Sequence, residues 1–172
     1  MHQQQTYFND NEALFNYIRG TDSAAFRARS TPLGDIVNSA PTFVGPPNAR
    51  YANTLESVNY SSFKTTYKDR SSLIYAGAND GMLHAFDAES GVEKMAYVPG
   101  VLLPSLKGLA AVDYTDRHRF FVDGSPTVSD AFVDGAWRTV LVGGLNKGGQ
   151  GIYALNITNP DDFGASTTNA DK

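Results

Sequence analysis

The chain has 172 residues, enough for one modest domain with a sizeable core; 41% are hydrophobic, 19% charged and 12% aromatic. A formal net charge of −4 argues against a non-specific nucleic-acid binder, which needs a basic excess to neutralise phosphates. Without cysteine the chain has neither a disulfide framework nor a thiolate metal site, and no stretch approaches the ~20 apolar residues of a membrane helix. Met1-His2-Gln3-Gln4-Gln5 lacks the charged-then-apolar pattern of a signal peptide, so the signal of an exported parent would lie upstream.

The first predicted element is a helix from Asn9 to Gly20. Asn9 or Asp10 caps its start, Leu14, Phe15 and Ile18 share one face, and Gly20 stops it. Thr21 to Leu33 is polar and irregular. Strands begin after Asp35, with Ile36-Val37 and Thr42-Phe43-Val44 flanking Asn38-Ser39-Ala40-Pro41. Arg50 to Arg70 reads as a long polar and aromatic insertion. Leu73 to Gly77, Met82 to Asp87 and Val92 to Val98 form a predicted meander. Its turns are Asn79-Asp80-Gly81, read as tolerating positive φ, and Glu89-Ser90-Gly91.

Pro99 to Asp113 carries Leu102, Leu103, Leu106 and Leu109 at roughly helical spacing, which predicts one or two short helices. Strands resume at Phe120-Phe121-Val122, Thr127 to Val133, Trp137 to Gly143 and Ile152 to Ile157. Asp134-Gly135 is a hairpin turn, and Gly143 to Gly151 is a glycine-rich connection. The small, polar tail after Asp161 is expected to fray.

A repeat underlies this order. Asn38-Ser39-Ala40-Pro41-Thr42-Phe43-Val44 returns in outline as Asp123-Gly124-Ser125-Pro126-Thr127-Val128, with the two prolines 85 residues apart. Ile74-Tyr75-Ala76-Gly77 corresponds to Leu141-Val142-Gly143-Gly144, and Leu83-His84-Ala85-Phe86-Asp87-Ala88 to Ile152-Tyr153-Ala154-Leu155-Asn156-Ile157. Such units are blades, and a ring needs about four or more of them to close. The chain supplies roughly two, so the expected fold is all-β, a partial β-propeller with a short N-terminal helix. Residues 1–33 form the lead-in, 34–163 the two blades and 164–172 the tail.

The chemical motifs read as structure. Gly149-Gln150-Gly151-Ile152-Tyr153-Ala154 matches a dinucleotide fingerprint formally, but strand residues follow where a helix would have to open. Gly143 to Gly149 lacks P-loop spacing, because Lys147 precedes a glycine with no Ser or Thr after it. His84 reads as a packed or half-exposed strand residue, His118 as a loop hydrogen-bonder and His2 as terminal; none shares ligand spacing with another. Asp113, Asp116, Asp123, Asp130 and Asp134 are spread over turns and strand ends, which favours turn chemistry over a calcium loop. Ser125 precedes Pro126 in a turn, with no reason for His118 to reach it. Arg27, Arg29, Arg117 and Arg119 are read as ties from loops to blade edges, and Trp137 as blade packing. No catalytic, cofactor-binding or metal residue is assigned, and the chain is not expected to be an enzyme.

The string from Ala76 through Asn79-Asp80-Gly81 to Gly91 resembles the repeat of quinoprotein-like propellers. Three longer strings narrow the resemblance: Leu33 to Pro41, Arg119 to Thr127 and Trp137 to Gly149. Together they are similar to the start of the C-terminal propeller in the PilC/PilY family of type IV pilus assembly and tip-adhesin proteins. The likeness spans about Asn11 to Phe163.

That resemblance implies an exported protein at the outer membrane, cell surface or pilus tip. It would promote pilus extension, oppose retraction and help attach cells. Implied partners are pilus components, host or surface receptors and the remaining blades of a parent protein; nucleic acid is not among them. The family's calcium-binding acidic loop lies later in the propeller, so no calcium ligand is assigned here and no cofactor is expected in this segment. The alternatives are a periplasmic or outer-membrane scaffold propeller, or part of a quinone-dependent dehydrogenase. The dehydrogenase site resembles a quinone held between an aromatic floor and a vicinal disulfide, which a cysteine-free chain does not supply.

Overall fold

A computed structural model of the chain describes residues 12–163. The helix-capping pair Asn9 and Asp10, His2 and the tail after residue 163 lie outside the described residues.

Helix α1 (Glu12–Ile18) buries Tyr17 and Ile18 and ends where Gly20 adopts φ 111°, a left-handed conformation suited to glycine. The strands then form two sheets. The first, in the order β1 (Thr42–Val44), β2 (Leu73–Gly77), β3 (Leu83–Asp87), β4 (Glu93–Tyr97), is antiparallel throughout. The second comprises β5 (Thr127–Val133), β6 (Ala136–Gly144) and β7 (Ile152–Asn156). The repeat survives at the level of register. Thr42 pairs with Tyr75 as Thr127 pairs with Val142, and Gly77 pairs with Leu83 as Gly144 pairs with Ile152. Ala76-Gly77 and Gly143-Gly144 therefore occupy equivalent positions in two separate sheets of the same strand order.

Turn chemistry explains the hairpins, with one revision. Asp134 and Gly135 have φ 51° and 75°, the doubly left-handed pair of a two-residue hairpin. In Asn79-Asp80-Gly81 only Gly81 is left-handed, at φ 95°, while the Ala78 N–H donates to the Met82 carbonyl across the loop. Asp80 instead shapes the turn with its side chain, Oδ1 accepting from the Met82 N–H at 3.1 Å.

Two predicted strands are absent. Ile36-Val37 and Phe120-Phe121-Val122 join no ladder, because their neighbourhood bonds to loops. The Asn79 N–H donates to the Asp35 carbonyl, and the Val122 N–H to the Ala78 carbonyl. Pro41 and Pro126, which lack a backbone donor, postpone pairing to the residues after them. The Arg50–Arg70 insertion holds a helix that was not predicted, α2 (Tyr60–Thr66). The leucines after Pro99 form α3 (Leu103–Leu106) between two 3-10 turns.

The main core lies between the sheets. Leu73, Tyr75, Leu83 and Ala85 from the first meet Leu141 and Tyr153 from the second, with Leu106, Phe121 and Val122 closing one end. Leu73 and Tyr75 thus face inward, each 1% exposed. A satellite core joins Tyr60 and Phe63 of α2 to Trp137 of β6, confirming Trp137 as a packing residue.

Candidate functional site: the seam between the sheets

The first strands of the two sheets lie side by side, and the repeated strings that precede them touch. Asn38 donates to Asp123 from its backbone (3.2 Å to Oδ1) and from its side-chain amide (2.8 Å to Oδ2). The Ala40 N–H donates to Ser125 Oγ at 2.9 Å, and Thr42 Oγ1 to the Pro126 carbonyl at 2.9 Å. The partners are 84 or 85 residues apart, so each position bonds its own counterpart one repeat later or that counterpart's neighbour. Asp123 is 1% exposed and also accepts from Asn146 Nδ2 at 3.1 Å. Among the described residues, amide donors alone serve this buried carboxylate, and losing one would leave charge under-solvated.

Close approach fixes the glycines here. A Cβ on Gly77 would sit 2.3 Å from the Val122 carbonyl oxygen, and one on Gly124 would sit 2.2 Å from that of Gly144. Gly77 and Gly124 are steric requirements of backbone crossing backbone.

At one end of the seam the hairpin 79–81 meets the lead-in. Gly34 N–H donates to Asp80 Oδ2 at 2.8 Å, and Asn79 Nδ2 to Asp35 Oδ2 at 2.8 Å. His118 Nε2 lies 3.1 Å from both Asp35 oxygens. Burial raises the Asp35 pKa, but the bonds from Asn79 and His118 outweigh it and hold the carboxyl below its usual range. A cleft of about 370 Å³ opens beside these groups, walled by Arg27, Arg29, Pro32, Leu109 and Tyr114.

The other residues weighed from sequence have structural partners. Arg27 Nε donates to the Leu109 carbonyl and its guanidinium lies over Tyr114, while Arg29 donates to the Tyr17 carbonyl at 2.7 Å. Arg117 pairs with Asp113, Arg119 lies over Phe121, and Lys147 over Phe120. Asp116 uses its backbone N–H to bond the Asp113 carbonyl, and Asp134 forms its hairpin turn. Gly149 to Ala154 runs into β7 and opens no helix. Ser125 Oγ serves the seam and is not brought to His118. Among the described residues no three His, Asp or Glu side chains group in a way that could hold a metal ion.

Two clusters escaped the sequence. Asp130 accepts from Tyr60 Oη and, at 2.6 Å, from Thr139 Oγ1, which itself receives Arg70 at 2.7 Å. Arg70 further donates to the Gly45 carbonyl at 2.6 Å and the Thr158 carbonyl at 3.0 Å, so it ties the insertion to both sheets. His84, expected to be packed or half-exposed, is 4% exposed and held between Asp80 and Glu93. Local spacing links only Asp80 to His84, four residues on; the other partners come from separate elements.

The geometry of two sheets sharing one seam agrees with comparisons to known proteins. Residues 33–169 match the family model described as the PilY1 beta-propeller domain. The chain belongs to this family. It is 47% identical over 154 residues to the type IV pilus biogenesis factor PilY1 of Pseudomonas aeruginosa strain UCBPP-PA14, covering 86% of this chain and 13% of that relative. A PilY1 homolog of Xylella fastidiosa strain Temecula1 is 43% identical over 170 residues, covering 89% of this chain and 11% of the relative. The crystal structure of the P. aeruginosa PilY1 C-terminal domain is similar at TM-score 0.50 and 41% identity, covering 70% of this chain and 23% of that one. The chain therefore spans about an eighth of the length of these curated relatives.

Proposed function

We propose that the chain forms the opening blades of a propeller in a type IV pilus biogenesis protein and acts there as an assembly and adhesion surface without catalysis. The observation that carries this reading is the 47% identity to relatives named as pilus biogenesis factors, sustained across both sheets. The seam supports it chemically: its polar side chains are spent on joining repeat to repeat, which is the work of a scaffold. On this reading residues 1–33 are the lead-in, residues 34–163 the two-blade body, and the partners are further blades, pilus components and surface receptors. Surface or pilus-tip location at the outer membrane belongs to the same proposal, as does calcium binding elsewhere in a parent protein. No helix among the described residues is long and apolar enough to cross a membrane.

The test is complementation. A strain lacking the full-length gene is expected to lose sheared surface pilin and surface attachment, and the wild-type gene to restore both. A gene carrying Asp123→Ala, expressed at wild-type level, is expected to restore less. Undiminished piliation in the deletion strain would refute the assignment, and saturable quinone binding by the full-length protein would favour a dehydrogenase instead.

A further inference from the structure

His84 is the second residue of β3 and has a carboxylate at each ring nitrogen. Nε2 lies 3.0 Å from Asp80 Oδ2, and Nδ1 lies 2.5 Å from Glu93 Oε1. A neutral imidazole has one N–H, so it can serve only one of these partners and turns a lone pair toward the other. Only the imidazolium donates to both.

The second partner is delivered by a backbone irregularity. Ala85 pairs with Met95, and regular antiparallel register would then set Phe86 opposite Lys94. A shift between Ala85 and Phe86 places Glu93 there instead. An extra residue re-aims the side chains that follow it, and here it brings a carboxylate rather than an ammonium to the His84 face.

The two carboxylates depend on His84 unequally. Asp80 is nearly buried and also accepts the Gly34 and Met82 N–H groups. The Glu93 side chain is 47% exposed, and among the described residues the imidazole is its one hydrogen-bond partner. Glu93 can rehydrate at least cost, so it is the group that leaves.

We propose that Asp80, His84 and Glu93 form a proton-operated latch on β4: the imidazolium holds Glu93 and the bulge in place, and loss of its proton releases Glu93 and loosens the strand. The same strand walls a cleft of about 320 Å³ whose floor includes Ile18, Met82, Leu103 and Leu106, so release uncovers apolar surface. Lys94 and Arg19 line that cleft beside Glu93, Phe86 stacks on the imidazole, and Asp35 and His118 stand behind Asn79 in the adjoining turn.

Burial opposes charge on His84, but the bonds and attraction of Asp80 and then Glu93 outweigh it and raise the pKa. The sign follows: the latch is fully made below the ordinary histidine value and is lost as pH rises through the higher folded one.

Hydrogen exchange of the β4 peptide in the full-length protein, corrected for intrinsic rates, reads the latch directly. Between about pH 5.5 and about pH 9.5, protection of β4 is expected to fall about tenfold, while β2 holds. Glu93→Gln, a change at a half-exposed side chain, is expected to move the midpoint to lower pH by removing one anion from the imidazolium. His84→Gln is expected to abolish the step. A β4 protection that does not change with pH, or a Glu93→Gln midpoint that matches the wild type, overturns the proposal. Piliation by the same variants is read separately, so a failed latch leaves the pilus assignment standing.

Discussion

The residues of the seam contribute through what they leave unpaired when removed. Asp123→Ala leaves the Asn38 and Asn146 amides without their acceptor; both lie on exposed residues and can turn to water, so each lost bond costs about 0.5–1.5 kcal/mol. Urea denaturation is expected to show a loss in that range, whereas Asp123→Asn, which keeps one acceptor, loses less. Tyr153 is the opposite case. Its hydroxyl is buried with no hydrogen-bond partner, and burial pushes its pKa up to about 12. Tyr153→Phe removes a polar atom that gains nothing from folding, so the unfolding free energy is expected to hold or to rise by up to about 1 kcal/mol. A clear destabilisation would show that the hydroxyl has a partner.

At the level of elements, the insertion 50–70 is fastened to the second sheet by aromatic stacking. Tyr51 lies flat on Trp137 with centroids 5.0 Å apart, Tyr60 meets the same ring edge-on at 4.8 Å, and Trp137 Nε1 donates to the Val58 carbonyl at 2.7 Å. Trp137→Ala is expected to cost about 3–5 kcal/mol and to make residues 50–70 the first site of limited proteolysis. Cleavage starting in the sheets would argue against the insertion as a separately released unit. The repeat strings, hairpin glycines and strands β2 to β7 were legible because turn chemistry and alternation are local. Helix α2 was not, because its sequence is polar and its reason for being helical is a tryptophan some seventy residues on. His84 was legible as a strand residue, packed or half-exposed, but Glu93 as its partner was not. Only the bulge places that carboxylate, and a bulge has no signature in an otherwise regular run.

For the molecule as a whole, one sheet face is finished and another is not. Val142 and Ile152 lie on the face of the second sheet turned from the core, 44% and 85% exposed, with Ala154 beside them. A following blade would cover them. The isolated chain is therefore expected to self-associate in sedimentation velocity, and Val142→Lys to suppress this without lowering its melting temperature. The same substitution in the full-length propeller is expected to destabilise by burying an unpaired charge. A strictly monomeric wild-type chain that melts like the full propeller would show that two sheets close their own core.

The pairing of each position with its own successor gives the seam a direction. Asn38, Ala40 and Thr42 offer protons forward along the chain to Asp123, Ser125 and the Pro126 carbonyl, and the Ser125 hydroxyl returns a single long bond of 3.4 Å to the Asn38 carbonyl. Such an asymmetric joint is a head-to-tail coupling: its two halves are complementary to each other and not to themselves. Couplings of that kind carry no count. They admit one more unit as readily as one fewer, and the number of units in a closed ring is then set by the angle between neighbours, not by the chemistry of the joint.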